Sequence, residues 1–157
     1  MADRIFDIET FERKKDHLQK MRHLLIRMHL ISDLPQTAGQ LVRDGILSRE
    51  EAKTLYLQLV ALFENESLTR LYHENVKVQI NKELLLPGGK MLHVDRLVHL
   101  PDESYVFMTF IAGVGSDQAR SHLKRLVKIY LNEGKQAEAV LITLENDGIE
   151  WISSKEA

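Results

Sequence analysis

Hydrophobic positions divide the chain into two halves with different periods. From Ile8 to Ile31, Phe11, Leu18, Met21, Leu25 and Met28 recur in steps of seven, three, four and three, which holds one stripe on a helix. SDLPQT (32–37) breaks that pattern, because Pro35 disfavours helical geometry at Leu34 and suits the first turn of a new helix. The new helix is expected to reach Arg43, with Gly45 as its stop. Ser48 then supplies an N-cap, and Glu51 completes a capping box. The helix they open carries Ala52, Leu55, Leu59 and Leu62 on one face, and ENESLTRLYHEN (64–75) reads as a further short helix or turn.

At Val76 the period drops to two. VKVQIN (76–81) alternates as a half-buried strand does. LLLPGGKMLHVDRLVHL (84–100) reads as strand, tight Pro-Gly-Gly turn and strand, and PDES (101–104) as a second turn. YVFMTFIA (105–112) is apolar on both faces, which predicts a central strand. GVGSD breaks it. QARSHLKRLVKIYLNEG (118–134) has helical spacing at Leu123, Val127 and Tyr130, with Gly134 as its stop. AEAVLITLE, NDG and IEWI then read as strand, turn and short strand. The order is helices, a three-stranded meander, a helix and one or two strands, which predicts a single α/β domain with a helical front.

Composition narrows the chemistry. A chain of 157 residues with 44% apolar content suits one domain with a substantial core. No apolar run approaches the roughly 18 residues a spanning helix needs, so no membrane partner is expected. The first twenty residues are charged throughout, unlike a secretory signal, and with no cysteine in the chain a cytoplasmic location is expected. The lack of cysteine excludes disulfides, thiolate metal sites and a cysteine nucleophile. Net charge is −2, so binding to nucleic acid would need a local basic patch. Arg120, Lys124, Arg125 and Lys128 supply one on the helix after the third strand, in a pattern that also fits an ordinary solvated amphipathic helix. ERKK (12–15) reads as a solvated helix start, and Trp151 and Tyr105 as packing residues. His93, Asp95 and His99 share strand parity and could face one metal ion, or could simply be polar residues of a half-exposed strand. PGGK (87–90) is a turn rather than a phosphate loop, and no serine sits in a nucleophile elbow.

The order α-β-β-β-α-β is that of the PD-(D/E)XK nuclease core. KELLLPGGKMLHVDRLVHLPDESYVFMTFIAG (82–113) resembles the nuclease domain at the C-terminus of RecB-like and UvrD-like helicase-nucleases. HVDR (93–96) stands where that family has its first acidic motif, with Asp95 as the acid, and Gly113 matches the glycine closing the second. LVKIYLNEGKQAEAVLITLENDGIEWI (126–152) resembles the family's ending, where a Gln-x-x-x-Tyr helix precedes a strand and a turn. LVRDGILSREEA (41–52) resembles the helical stretch before the core, and His23 stands near the family's first-helix histidine. The resemblance implies a restriction-endonuclease-like αβββαβ core with a mixed sheet. It would form a single nuclease-like domain over 1–157, mainly helical over 1–75, with meander, helix and strand over 76–157.

Departures from the family pattern fall on the chemistry. Residues 104–113 hold neither acid nor lysine: Thr109 stands where the second acid belongs and Ile111 where the lysine belongs. Leu126 replaces the helix glutamine four residues before Tyr130. Metal-dependent DNA hydrolysis needs carboxylates to hold Mg²⁺ and a base to position water, and a hydroxyl and a sec-butyl group supply neither. The resemblance therefore implies vestigial positions at Glu83, Asp95, Thr109, Ile111 and Tyr130. No cofactor is expected, and if any metal bound, Asp95, Glu83 and His93 would hold it. The leading expectation is a catalytically degenerate nuclease-like domain, DNA-contacting or structural, acting in repair or recombination beside a helicase or nuclease subunit. One alternative is an active Mg²⁺-dependent nuclease using Asp95, Glu83 and Lys124 or Lys128. The other is a protein-interaction domain without nucleic acid.

Overall fold

The computed structural model describes residues 8–146 and 148–153, with side chains from residue 12 onward. Helix α1 (Ile8–Arg27) buries Leu18, Met21, Leu25 and the following Met28, the stripe its period predicts; Phe11 lies outside the described side chains. Pro35 opens α2 (Leu34–Arg43), and Ser48 opens α3 (Arg49–Leu62) through the expected capping box. The Ser48 hydroxyl accepts from the Glu51 N–H at 3.1 Å, and Glu51 accepts from the Ser48 N–H at 3.0 Å. A short α4 (Glu66–Thr69) and a 3-10 turn (Arg70–Tyr72) complete the helical front.

Five strands follow: β1 (Lys77–Leu85), β2 (Met91–His99), β3 (Tyr105–Ile111), β4 (Ala137–Thr143) and β5 (Gly148–Ile152), with α5 (Ser116–Asn132) between β3 and β4. They form one mixed sheet in the order β1-β2-β3-β4-β5. Only β3 and β4 run parallel, joined by the α5 crossover; the other pairs are antiparallel. The helical front packs on one face with Val98, Val106, Met108, Phe110, Val140 and Ile142. Helix α5 covers the other through Leu123, Leu126 and Val127, against Phe107, Ala139 and Leu141. β3 is buried on both faces, as its unbroken apolar run predicts. Among the described residues, no helix is long and apolar enough to cross a membrane.

Strand alternation reverses once. In β1, Val78 packs with the helical front and Leu84 with the α5 side, although an even step should keep both on one face. The same happens in β2, where Val94 lies on the α5 side and Val98 on the front. The reversal coincides with Asn81, at φ 50°, and with Asp95 opposite it, the one position skipped in an otherwise continuous register from Lys77↔His99 to Leu85↔Met91. Asparagine tolerates that left-handed backbone better than the β-branched residues common in strands.

Arg96, just after this kink, is fully buried. Its guanidinium donates to the carbonyls of Ile26 (3.2 Å) and Met28 (2.6 Å), at the C-terminal end of α1, and of Leu71 (3.1 Å). The Tyr72 ring stacks 4.0 Å from its carbon, and the Tyr72 hydroxyl donates to the Leu25 carbonyl. Carbonyls at a helix C-terminus are unpaired and carry the negative end of the helix dipole, so they act here as the counter-charge. Burial pulls the Arg96 pKa down from its usual range and pushes the Tyr72 phenol up. Replacing Arg96 with leucine strands three buried carbonyls and should cost about 3 kcal/mol, read as a fall in the urea midpoint. Lysine at this position should recover only part of that loss, because it lacks the planar fork.

Candidate functional site

The site expected around Asp95 is where β2 and β3 separate. Their pairing stops at Arg96↔Met108, while β3 continues beside β4 to Ile111↔Thr143. Beyond that point the Asp95 carboxylate takes the place of a strand partner: Oδ2 accepts from the Phe110 N–H at 2.8 Å. Oδ1 accepts from Arg22 Nη2 at 2.7 Å, and Arg22 Nε donates to the Phe110 carbonyl at 2.9 Å. An acid from β2 and a base from α1 thus clasp both polar backbone groups of one β3 residue. Asp95 is 1% exposed, so this pair is shielded from solvent on its acidic side.

His93 extends the chain outward. Its Nε2 lies 3.1 Å from Asp95 Oδ1 and its Nδ1 2.9 Å from Glu83 Oε1. Glu83, His93, Asp95 and Arg22 therefore form one continuous polar line from the exposed hairpin into the sheet. Thr109 and Ile111 flank Phe110 and are immediate chain neighbours of the clasp. The alternation of β3, with Met108 and Phe110 toward the helical front, turns Thr109 and Ile111 toward the α5 side.

Mg²⁺ does not fit this donor set. Both Asp95 oxygens are committed, Arg22 already supplies the positive charge there, and neither Thr109 nor Ile111 brings a carboxylate. Among the described residues, no group of three or more histidines and acids is arranged to hold a metal ion. His93, Asp95 and His99 do not share a face. His99 stacks on Tyr105, with ring centroids 4.4 Å apart, on the α5 side of the sheet, because the kink at Asn81 and Asp95 inverts the alternation between residues 93 and 99.

Other sequence-marked residues separate from this cluster. Tyr130 packs edge-on against Phe107 (4.8 Å) and Tyr105 (5.2 Å), at the start of β3 rather than beside Phe110. His23 is exposed, and its neighbour Arg22 reaches the site instead. Arg22 escaped the sequence reading; its signal was an arginine directly after Met21 in the apolar stripe. Lys124 carries its charge beside Glu150 on β5, which holds the Glu150 carboxyl below its usual range together with the stronger hydrogen bond from Arg120. β5 lies three strands from β2, roughly 14 Å away at normal strand spacing. Neither Lys124 nor Lys128 bonds to Asp95.

The basic helix is also less uniform than its sequence. Arg120 grips Glu150 with two bonds (2.7 and 2.9 Å) and Asp117 with a third (2.8 Å), tying α5 to β5. Arg125 and Lys128 are exposed and carry no ion pair among the described residues. Lys90, at the end of the β1–β2 turn, belongs to the same surface. Partial burial, then the charges of Lys90 and Arg125, hold the His122 pKa below its usual value.

Compared with known proteins, the chain matches no family model, and no curated sequence matches it closely enough to count as a relative.

If the Arg22–Asp95 clasp holds α1 to the sheet, Asp95→Ala should lower stability by about 3 kcal/mol by urea unfolding, since it leaves Arg22 without its partner. Arg22→Met with Asp95→Ala should then cost less than the two single losses summed, by about 1 kcal/mol or more. Strict additivity would reject the clasp.

Proposed function

We propose that this chain is a nuclease-like domain of the PD-(D/E)XK type that has lost hydrolysis and serves as a DNA-contacting module. Its setting would be DNA repair or recombination, beside a helicase or an active nuclease subunit. Three features support the nuclease-like part. A meander is followed by a helix and a strand parallel to the third, in the family's order. Asp95 abuts the backbone of Phe110, between the two positions where an acid and a lysine would stand. The strands part at that point, as a site opening between them requires. Loss of catalysis follows from the donor set: the remaining acid is held by Arg22, and no base stands beside it.

The observation that carries DNA contact is the surplus of unpaired cations on the α5 side. Lys82, Lys90, Arg125 and Lys128 have no ion pair among the described residues, while the acids on that side, Asp117, Glu133 and Glu150, each pair with a neighbouring base. A net negative chain thus carries a locally positive face, of the kind that follows a phosphate backbone. Arg120 is structural in this reading, and Lys124, Arg125 and Lys128 make the contact.

A protein-interaction domain without nucleic acid is the second reading. It is favoured by an exposed apolar stripe on α3, where Tyr56, Leu57 and Val60 stand 37%, 57% and 40% exposed, near Ile46 at 46%. Fluorescence anisotropy with labelled linear DNA at low salt separates the two. Lys124→Glu with Lys128→Glu should weaken binding about tenfold or more and flatten its salt dependence. Unchanged affinity would reject the DNA-contacting reading and leave the second.

A further inference from the structure

A groove of about 490 Å³ lies between β1 and the C-terminal end of α5, lined among others by Lys77, Gln79, Lys82, His99, Tyr105 and Tyr130. Its composition depends on the kink. In a regular strand Lys82 would face away from Lys77 and Gln79; the left-handed Asn81 between them brings all three to one side. His99 and Tyr105 form one wall as a parallel stack, 2° from coplanar. Tyr130 meets Tyr105 edge-on, with Lys135 Nζ 4.8 Å from its ring centroid.

The groove therefore combines two unpaired ammonium groups, a side-chain amide and two phenol hydroxyls with an aromatic wall. Neither Lys77 nor Lys82 has an ion pair among the described residues, and none of the residues lining the groove is an acid. Glu103, which approaches His99 Nε2 at 3.3 Å from the β2–β3 turn, is 83% exposed. Clustered cationic donors with additional neutral donors suit a phosphate ester. An aromatic wall suits a planar base, and the volume is that of a small-ligand site, far larger than a lone phosphate needs. We propose that this groove binds the phosphate and base of a nucleotide, either free or as one unit of a single-stranded nucleic acid. It lies apart from the Asp95 clasp, and it stands whether or not α5 follows a DNA backbone.

The test is an NMR titration of the ¹⁵N-labelled chain with inorganic phosphate, adenosine, adenosine monophosphate and a short oligothymidylate. The monophosphate should shift the amides of residues 77–82, 99, 105 and 130, and bind at least about tenfold more tightly than adenosine or phosphate alone. Lys77→Gln with Lys82→Gln should weaken it about tenfold while leaving the rest of the spectrum native, and Lys53→Gln on α3 should change nothing. An oligothymidylate that binds more tightly than the monophosphate and loses affinity in the same variant assigns the site to single strands. Equal or weaker binding assigns it to the free nucleotide. No shift at these residues with any probe at millimolar concentration would overturn the proposal, as would an unchanged affinity in the double lysine variant.

Discussion

Two adjacent residues of β2 fix how the helical front sits on the sheet. Arg96 is a cation with no exposed surface, and it is neutralised by backbone carbonyls at the end of α1 and by the Tyr72 ring rather than by an acid. Asp95 is an anion, equally buried, and its counter-charge is Arg22 on the same α1. Helix α1 is therefore pinned at its C-terminus and one turn earlier, by opposite charges from neighbouring positions. Regular alternation would send adjacent strand residues to opposite faces. The kink at Asn81 and Asp95 is what lets both charges meet α1. Removing one member of such a set leaves a buried group without compensation, which makes the arrangement directional and hard to slide.

The same constraint decides what the centre of the sheet can do. A carboxylate that already accepts from a guanidinium and a backbone N–H is a poor metal ligand and a poor base. In a nuclease of the proposed type, separated strands would open onto metal and water. In this chain Asp95 and Arg22 fill the gap, and the polar line ends at His93 and Glu83 on the surface. A catalytic position thus becomes a structural one without moving the acid. The chemistry left to the molecule lies on the α5 side, where unpaired lysines and arginine outnumber free acids.

Much of this was legible in the sequence. The helix stripes, the Ser48–Glu51 box, the Pro-Gly-Gly hairpin and the central apolar strand depend on near neighbours, and all form where their periods predict. Long-range pairings were not legible. Arg22 meets Asp95 across 73 residues, and Arg120 meets Glu150 across 30, so one looked like a surface helix residue and the other like a free DNA cation. The kink was hidden for another reason. One left-handed asparagine leaves hydrophobic alternation intact on each side and reverses only its sense, so His93 and His99 read as companions while standing on opposite faces. Thr109 and Ile111 were legible by position, but what had closed the site beside them was not.

The central claim is that Asp95 serves the fold and not a reaction. It is tested most directly by incubating the purified chain with end-labelled linear DNA in Mg²⁺ and in Mn²⁺, beside an Asp95→Ala variant confirmed as folded by its amide spectrum. The account predicts no cleavage above the metal-only control for either protein. Metal-dependent cleavage by the natural chain that disappears in Asp95→Ala would contradict it.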